Sequence, residues 1–110
     1  MSQVVRLTDR NFDQEVFQGK IPALVEFSAS WCVPSQQQKP LLEELAKEYR
    51  GRLNIGELNV DQNPRVAAEY KIMGCPTFIT FHSGKILQRS IGAQSKRQLI
   101  ESIQSAINSH

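Results

Sequence analysis

The sequence predicts an α/β fold in which helices cover both faces of a mixed β-sheet. Strand-like and helical segments alternate along the chain, one strand is apolar almost throughout, and the last two strands form a hairpin. The resulting order is β-α-β-α-β-α-β-β-α. Alternating segments require parallel strands joined by right-handed crossovers, whereas the hairpin adds antiparallel ones. A chain of 110 residues suffices for an ordinary core, and we expect one domain over residues 1–110.

The first elements follow from capping residues and apolar spacing. Residues 4–7 form a short strand, and Thr8 and Asp9 are the capping residues of the short helix that follows. The apolar positions of this helix are Phe12, Val16 and Phe17. Residues 23–29 are a near-continuous apolar run, which is typical of a strand buried on both faces at the centre of a sheet.

The middle of the chain contains a long helix, a strand and a short helix. The long helix covers residues 36–49, and Pro40 is expected to kink it because proline lacks a backbone donor. A strand over residues 53–60 follows, and Pro64 lies at the turn into the short helix. Residues 73–76 form a loop before the next strand.

The last part of the chain is a hairpin followed by a helix. Residues 77–82 are rich in β-branched and aromatic side chains, which predicts a strand. The Ser-Gly pair at 83–84 is a two-residue hairpin turn, and residues 85–91 form the return strand. Ser95 and Gln98 have the spacing of a capping box. The apolar face of the last helix consists of Leu99, Ile100, Ile103, Ala106 and Ile107.

Composition and charge exclude several classes of partner. The net charge is +2 and no basic run is longer than Lys96-Arg97, so we expect no nucleic-acid binding. No apolar stretch is long enough to span a membrane, and residues 1–6 lack the apolar core of a signal peptide. Two cysteines are too few for the disulfide framework of a small secreted protein. We therefore expect a cytoplasmic protein.

Cys32 is the candidate nucleophile. It lies between the apolar strand and the long helix, where unpaired backbone N–H groups and the positive end of the helix dipole point. This setting favours the thiolate and lowers the pKa of a cysteine, which makes an accessible sulfur reactive. The alternative is that Cys32 and the second cysteine, Cys75, are small buried hydrophobic residues.

The chain resembles the thioredoxin family over essentially its whole length. The similarity rests on the strand–Trp-Cys-x-Pro–helix unit at 27–34, the helix proline Pro40, and the segments 59–64 and 74–77. It extends to Phe81, Gly84, Gly92 and Ala93. The resemblance implies the thioredoxin fold, with Pro76 as a cis proline beside the active-site sulfur. It also implies thiol–disulfide oxidoreductase activity and a role in cell redox homeostasis.

Four positions depart from the pattern of the family. Residues 32–35 read Cys-Val-Pro-Ser, so a serine replaces the second cysteine of the family's Cys-x-x-Cys motif. The residue before the cis proline, usually aliphatic or threonine, is Cys75. The family's buried aspartate is Glu26, and the lysine that usually neighbours it on the next strand is Glu57.

These departures leave three interpretations of the chemistry. Cys32 can form a mixed disulfide with a substrate, but Ser35 cannot resolve it, because an alkoxide does not exchange with a disulfide at neutral pH. In the first interpretation Cys75 resolves it, since the family's geometry brings that position against the active-site sulfur. In the second, an external thiol such as glutathione does so, as in monothiol glutaredoxins. In the third, Ser35 is an engineered trap, or the chain is a binding module without turnover.

Glu26 lies in an otherwise apolar strand, and the resemblance implies that an acid at this position moves protons to and from the thiols. A buried carboxylate must be paired, hydrogen-bonded or protonated. If Glu57 faces Glu26, at least one of the two has a raised pKa, as in a coupled pair. The alternative is that Glu26 reaches water and that Glu57 is exposed. For Ser35, the alternative to a role in the chemistry is a hydrogen bond to local backbone.

The resemblance further implies a substrate groove around Cys32. The candidate groove residues are Trp31, Val33, Pro34, Ser35, Met73, Gly74, Cys75, Pro76, Gly92 and Ala93. An extended substrate strand would pair with the backbone of Cys75, and Gly92 would allow a close approach. The alternative for Trp31 and Met73 is core packing.

The expected partners are protein disulfide substrates, with thioredoxin reductase or glutathione as the source of electrons, and we expect a monomer. A metal or iron–sulfur site shared by two chains would need clustered ligands. The chain has no Cys-x-x-Cys pair, and neither His82 nor His110 has ligand spacing. We therefore expect no metal and no other cofactor.

Overall fold

Within the described part of the chain, five strands and four helices follow one another in the predicted order. The computed structural model describes residues 3–109, and Met1, Ser2 and His110, which the sequence predictions mention, lie outside the described residues. The strands are β1 (Val5–Leu7), β2 (Ala23–Ser28), β3 (Asn54–Asn59), β4 (Thr77–His82) and β5 (Lys85–Ile91). The helices are a short helix of π type (Asp13–Phe17), α1 (Val33–Glu48), α2 (Pro64–Glu69) and α3 (Lys96–Ile107). Within the described residues, no helix is long and apolar enough to cross a membrane.

The sheet is mixed, with strand order β1-β3-β2-β4-β5. Strands β1 and β2 both run parallel to β3, whereas β4 is antiparallel to β2 and β5. The apolar strand β2 therefore lies at the centre, as predicted. Its register places Glu26 beside Glu57 on β3 and Phe78 on β4.

Each face of the sheet has its own hydrophobic core, because successive side chains of β2 point to opposite sides. One core joins Leu24 to α1 and α3, and the other joins Val25 and Phe27 to the short helix and α2. The buried members of the first core are Leu24, Leu42, Leu45, Ala46, Tyr49, Leu53, Ile55, Phe78, Leu99, Ile103 and Ala106. The buried members of the second are Leu7, Phe12, Val16, Ala23, Val25, Phe27, Leu58, Val66, Ile79 and Phe81. Helices therefore cover both faces.

Two of the predicted local motifs have the expected geometry. In the turn between β4 and β5, Ser83 and Gly84 have φ angles of 54° and 76°, the pattern of a type I′ hairpin. At the start of α3, Ser95 and Gln98 exchange the two hydrogen bonds of a capping box.

Asp9 caps a helix other than the predicted one. Thr8 Oγ1 accepts hydrogen bonds from the backbone N–H groups of Arg10 and Asn11, but the N-cap residue of the short helix is Phe12, which has no side-chain cap. The Asp9 carboxylate instead accepts from the backbone N–H groups of Arg65 and Val66, at 3.0 and 2.9 Å, at the start of α2. The prediction assigned Asp9 to its nearest helix, whereas the fold brings α2 to it from 56 residues away.

Candidate active site

Cys32 is the N-cap residue of α1, so the helix begins at Val33 and not at the predicted residue 36. Its backbone N–H donates to the Ala29 carbonyl at 3.1 Å, and its own carbonyl accepts from Gln36 at 3.1 Å. Pro34 lies in the first turn, where a proline costs no hydrogen bond. Cys32 thus lies between the carboxyl end of β2 and the amino end of α1, as the strand–helix junction predicted.

Cys32 is less accessible than the sequence suggested. The residue is buried, with 4% of its surface exposed, whereas its neighbours Trp31 and Val33 are 67% and 63% exposed. The exposed surface next to this buried cysteine is therefore formed by its two neighbours in the chain.

Cys75 lies against Cys32. The peptide bond between Cys75 and Pro76 is cis, as the resemblance implied, and both cysteines are free thiols. Burial raises the pKa of Cys75 to about 11, and a hydrogen bond to Cys32 and the charge of that sulfur act in the same direction. The contacts of Cys75 with Ser35 and with the Ala29 backbone oppose the rise in its pKa. The residue is partly exposed, but these contacts direct its thiol inward.

Ser35 connects the cysteine pair to the buried acid. The side chain is fully buried, and its hydroxyl donates to Glu26 Oε2 at 3.3 Å. The same hydroxyl is a hydrogen-bond partner of Cys75. Ser35 therefore contacts reactive groups on two other segments, which the alternative of a local backbone bond does not account for.

Glu26 is fully buried, so the alternative that it reaches water is wrong. Burial raises the pKa of Glu26 to about 8, and the charge of Glu57 adds to the effect. The hydrogen bond from Ser35 and the charge of Lys39 lower the pKa of Glu26 but do not reverse the shift. Among the described residues, Glu26 Oε1 is the buried side-chain oxygen or nitrogen that has no hydrogen-bond partner. The predicted rise in pKa is confirmed for Glu26.

A lysine that the sequence analysis missed pairs with Glu57. Lys39 Nζ lies 2.7 Å from Glu57 Oε1, and both side chains are partly exposed. Lys39 follows Ser35 by four residues on α1, so both project toward the sheet from the same helix face. That spacing is the signal that would have found it. The family's lysine on the neighbouring strand is thus replaced by a lysine on α1.

Lys39 and Glu57 also line a cleft of about 450 Å³ between α1 and the β1–β3 side of the sheet. Ser28, Gln36 and Asn59 contribute polar groups to the same cleft, and neither cysteine lines it. The ion pair therefore stands between the buried Glu26 carboxyl and an open, polar part of the surface.

The predicted groove residues differ in their exposure. Trp31 and Met73 are 67% and 92% exposed, so the alternative of core packing is wrong for both. The other exposed candidates are Val33, Pro34 and Ala93. Gly74, Cys75 and Gly92 are partly exposed, whereas Pro76 and Ser35 are buried below them.

Two further residues shape this surface, and the sequence analysis assigned neither to the groove. Ile91 is 65% exposed, and a Cβ atom added to Gly74 would lie 2.7 Å from its Cγ2 atom, so a larger residue there would force the Ile91 side chain to move. Asp61 Oδ2 accepts a hydrogen bond from Trp31 Nε1 at 2.8 Å, which orients the indole ring. No local pattern marks either residue, because each contact joins distant segments.

Among residues 3–109, no group of three or more His, Cys, Asp or Glu side chains could hold a metal ion. The reactive groups that the site brings together are two thiols and a buried carboxyl. A cysteine at a helix N-terminus, a second cysteine before a cis proline and a buried acid on the central strand define a thiol-based redox protein.

Comparison with known proteins agrees with this class. The Thioredoxin family model matches residues 3–105. The chain is 42% identical to the thioredoxin of Buchnera aphidicola subsp. Schizaphis graminum, over 90% of this chain and 92% of that protein. It is 43% identical to the thioredoxin of Staphylococcus saprophyticus (92% and 95% covered) and 36% identical to thioredoxin 1 of Nostoc sp. (94% and 97% covered).

The chain belongs to the thioredoxin family. Thioredoxins are thiol–disulfide oxidoreductases that act on protein disulfides and receive electrons from reductases. The predicted fold and enzyme class are therefore confirmed.

Proposed function

We propose that this chain reduces protein disulfides with Cys32 as the nucleophile and Cys75, in place of Ser35, as the resolving thiol. The observation that carries the proposal is the contact between the two thiols at the amino end of α1. Ser35 lies in the helix at the family's second cysteine position, and its hydroxyl cannot exchange with a disulfide. Cys75 is the thiol in the chain that lies near enough to act in its place.

The exchange proceeds in two balanced steps. The Cys32 thiolate attacks one sulfur of the substrate disulfide, forms a mixed disulfide and releases the first substrate thiolate, which takes up a proton. The Cys75 sulfur then attacks Cys32 as its own proton leaves, and the second substrate thiol is released. The two cysteines lose two electrons and form a disulfide, and the substrate disulfide gains them.

The high pKa of Cys75 sets a condition on the second step. At a pKa of about 11, roughly one Cys75 thiol in ten thousand is ionised at pH 7. Two of the causes of that pKa, the hydrogen bond to Cys32 and its negative charge, vanish once Cys32 is held in a mixed disulfide. The thiol of Cys75 therefore becomes easier to ionise when its sulfur is needed, although burial still opposes it.

The same observation favours the second candidate, in which an external thiol of the glutathione class resolves the mixed disulfide. A resting Cys75 that stays protonated is a slow nucleophile, whereas a small thiol from solution carries its own ionised fraction. In this candidate Cys75 serves as a hydrogen-bond donor that stabilises the Cys32 thiolate.

Substrates bind, in this proposal, as extended strands across the exposed apolar surface formed by Trp31, Val33, Met73 and Ile91. The backbone of Cys75 supplies the pairing edge. Re-reduction comes from thioredoxin reductase or glutathione, in the cytoplasm, and the chain acts as one monomeric domain over residues 1–110. A non-turnover binding module would use the same surface.

A single-turnover experiment without added thiol tests the proposal. The pre-reduced protein is mixed with one equivalent of insulin, and the products are read by intact mass and by tryptic mapping. We expect a Cys32–Cys75 disulfide and two free substrate thiols. Cys75→Ala should stop at the mixed disulfide, and Cys32→Ala should not react.

Ser35→Cys, which restores a Cys-x-x-Cys motif, is the matched positive control. A wild-type protein that stops at the mixed disulfide, and turns over only when glutathione is added, would establish the second candidate. No reaction at Cys32 in the wild type, with the control active, would leave a binding module.

A further inference from the structure

The resolving step needs a place for the Cys75 proton, and the described structure contains one path for it. Ser35 and Glu26 are both fully buried, so bulk water does not reach them. The Ser35 hydroxyl is hydrogen-bonded to Glu26 Oε2 at 3.3 Å and lies beside the Cys75 sulfur. These three groups form a continuous chain from the thiol to the carboxyl.

We propose that the Ser35 hydroxyl passes the Cys75 proton to the Glu26 carboxylate as Cys75 attacks the mixed disulfide. This inference rests on the proposed function, because it requires Cys75 to be the resolving thiol. It gives Ser35 a catalytic role at the position where the family has a second nucleophile. In this proposal Ser35 transfers a proton, and the resolving sulfur is that of Cys75, which lies on the loop before the cis proline.

The step balances without a further reactant. The Cys75 S–H bond breaks and its proton goes to Ser35 Oγ, while the Ser35 hydroxyl proton goes to Glu26 Oε2. The sulfur electron pair of Cys75 forms the new bond to Cys32, and the bond from Cys32 to the substrate sulfur breaks. The departing substrate thiolate takes a proton from the solvent in the groove.

A hydroxyl suits this role because it donates one hydrogen bond and accepts others. Before the transfer, Ser35 donates to the Glu26 carboxylate and accepts from the Cys75 thiol. Afterwards it accepts from the protonated carboxyl and donates to the Cys75 sulfur. The proton thus moves along two existing contacts without any rearrangement of the backbone.

The surroundings of Glu26 allow it to take and return a proton near neutral pH. Burial is the main cause of its pKa of about 8, and Glu57 on β3 adds to it. From α1, Ser35 and Lys39 favour the charged form, and from β4 the neighbour is the apolar Phe78. The Glu26 Oε1 atom has no partner, which disfavours the anion and favours return of the proton. A base with a pKa near the working pH is an effective acceptor.

The experiment uses the full chain and a chromogenic aromatic disulfide, dithiobis(nitrobenzoate), at one equivalent in stopped flow. The first nitrothiobenzoate released reports attack by Cys32. The second reports resolution by Cys75 and leaves a protein lighter by two hydrogens. In the wild type, the rate of the second phase should rise with pH and level off above about pH 8, where Glu26 is ionised.

Ser35→Ala should slow the second phase by roughly 100-fold near pH 8, the low end for a positioned proton-transfer group. Its rate should keep rising toward pH 11, where Cys75 ionises without help. Ser35→Thr, which keeps the hydroxyl, should restore the wild-type pH profile, and Ser105→Ala on the exposed side of α3 is the matched control. Glu26→Gln gives a second test with the same expected profile as Ser35→Ala.

The two proposals fail in different ways. A second phase in Ser35→Ala and Glu26→Gln with the wild-type rate and pH profile would overturn the relay and leave Cys75 as the resolving thiol. A wild-type protein that releases one nitrothiobenzoate and keeps the other on Cys32 would overturn the proposed function, and the relay with it. A wild-type second phase that rises without a break to pH 11 would overturn the relay without any variant.

Discussion

The two faces of the central strand β2 differ in how fully their side chains are satisfied. On one face, Val25 and Phe27 pack into a cluster of aromatic rings that includes Phe12, Tyr70 and Phe81, with centroid separations of 5.4–6.4 Å. On the other face, two residues from Leu24 in the apolar core, Glu26 carries a buried carboxyl with one unpartnered oxygen. One strand thus supplies packing on one side and reactive chemistry on the other.

The aromatic face therefore increases the stability of the fold, whereas the face with Glu26 decreases it. Edge-to-face aromatic pairs add free energy beyond the area that they bury. A buried carboxyl with an unmade hydrogen bond lowers the free energy of unfolding once it ionises. Sites that lower stability in this way are those where proton transfer is useful. The following changes test the contrast, from the largest expected effect to the smallest.

Replacing Cys32 should remove the chemistry and leave the fold. In Cys32→Ala, the rate of protein disulfide reduction should fall to that of the uncatalysed reaction, because the remaining thiol, Cys75, has a pKa raised to about 11 and stays protonated. The measurement is insulin reduction followed by turbidity, with circular dichroism as the control for folding. Residual activity of half the wild-type rate would mean that Cys75 acts as a nucleophile on its own.

Glu26 should make the protein less stable as the pH rises. Its pKa is about 8 in the folded state and 4.5 at its ordinary value, so the folded state holds the proton more tightly between these limits. The stability that Glu26 contributes through its bound proton is therefore fully present below about pH 4.5 and is lost as the pH rises to about 8. Above that pH, Glu26 causes no further change in the free energy of unfolding. From the two pKa values, the free energy of unfolding of the wild type should fall by on the order of 4 kcal/mol more than that of Glu26→Gln between pH 5 and pH 9.

Urea unfolding at pH 5 and pH 9 measures this difference. Glu48→Gln, an exposed glutamate near the end of α1, is the control and should follow the wild type. Equal pH dependence in the wild type and in Glu26→Gln would show that Glu26 titrates in the folded protein as it does in the unfolded chain.

Phe12 should matter for stability and not for the titration of the site. Its side chain is fully buried and contacts four other aromatic rings. Phe12→Ala should therefore lower the free energy of unfolding by about 3–5 kcal/mol, through lost transfer energy and a cavity. Phe12→Leu, which keeps most of the volume, should cost less. A change in the pH at which the Glu26 carboxyl titrates by NMR would contradict the separation of the two faces.

The cap on α2 should have the smallest effect of the set. Asp9→Ala removes both carboxylate hydrogen bonds to the first turn of α2 and should cost about 1 kcal/mol. Asp13→Ala, an exposed aspartate on the short helix, is the comparison and should stay within about 0.5 kcal/mol of the wild type. If the two variants were equally stable, the carboxylate of Asp9 would contribute nothing as a cap.

Local patterns predicted the elements better than they predicted the site. The bounds of β4 and β5 and the box at Ser95 agree with the prediction, because alternation, turn residues and capping depend on neighbours in the chain. The start of α1 was placed three residues late, because Cys32 caps the helix without a side-chain hydrogen bond. The pairing of Glu57 with Lys39 was missed because it joins residues 18 positions apart on different elements.

The amino-acid sequence by itself determined the order of elements and the central position of β2, and its resemblance to the thioredoxin family offered Cys75 as one candidate partner for Cys32. These features follow from residue spacing, composition and family motifs, all of which can be recognised in the linear sequence. The tertiary structure alone decided that Cys32 is buried, that Asp9 caps α2, and that Ser35 touches both Cys75 and Glu26. The physical reason is that burial and hydrogen bonding depend on which side chains meet across packed elements, and packing is settled by the whole core at once.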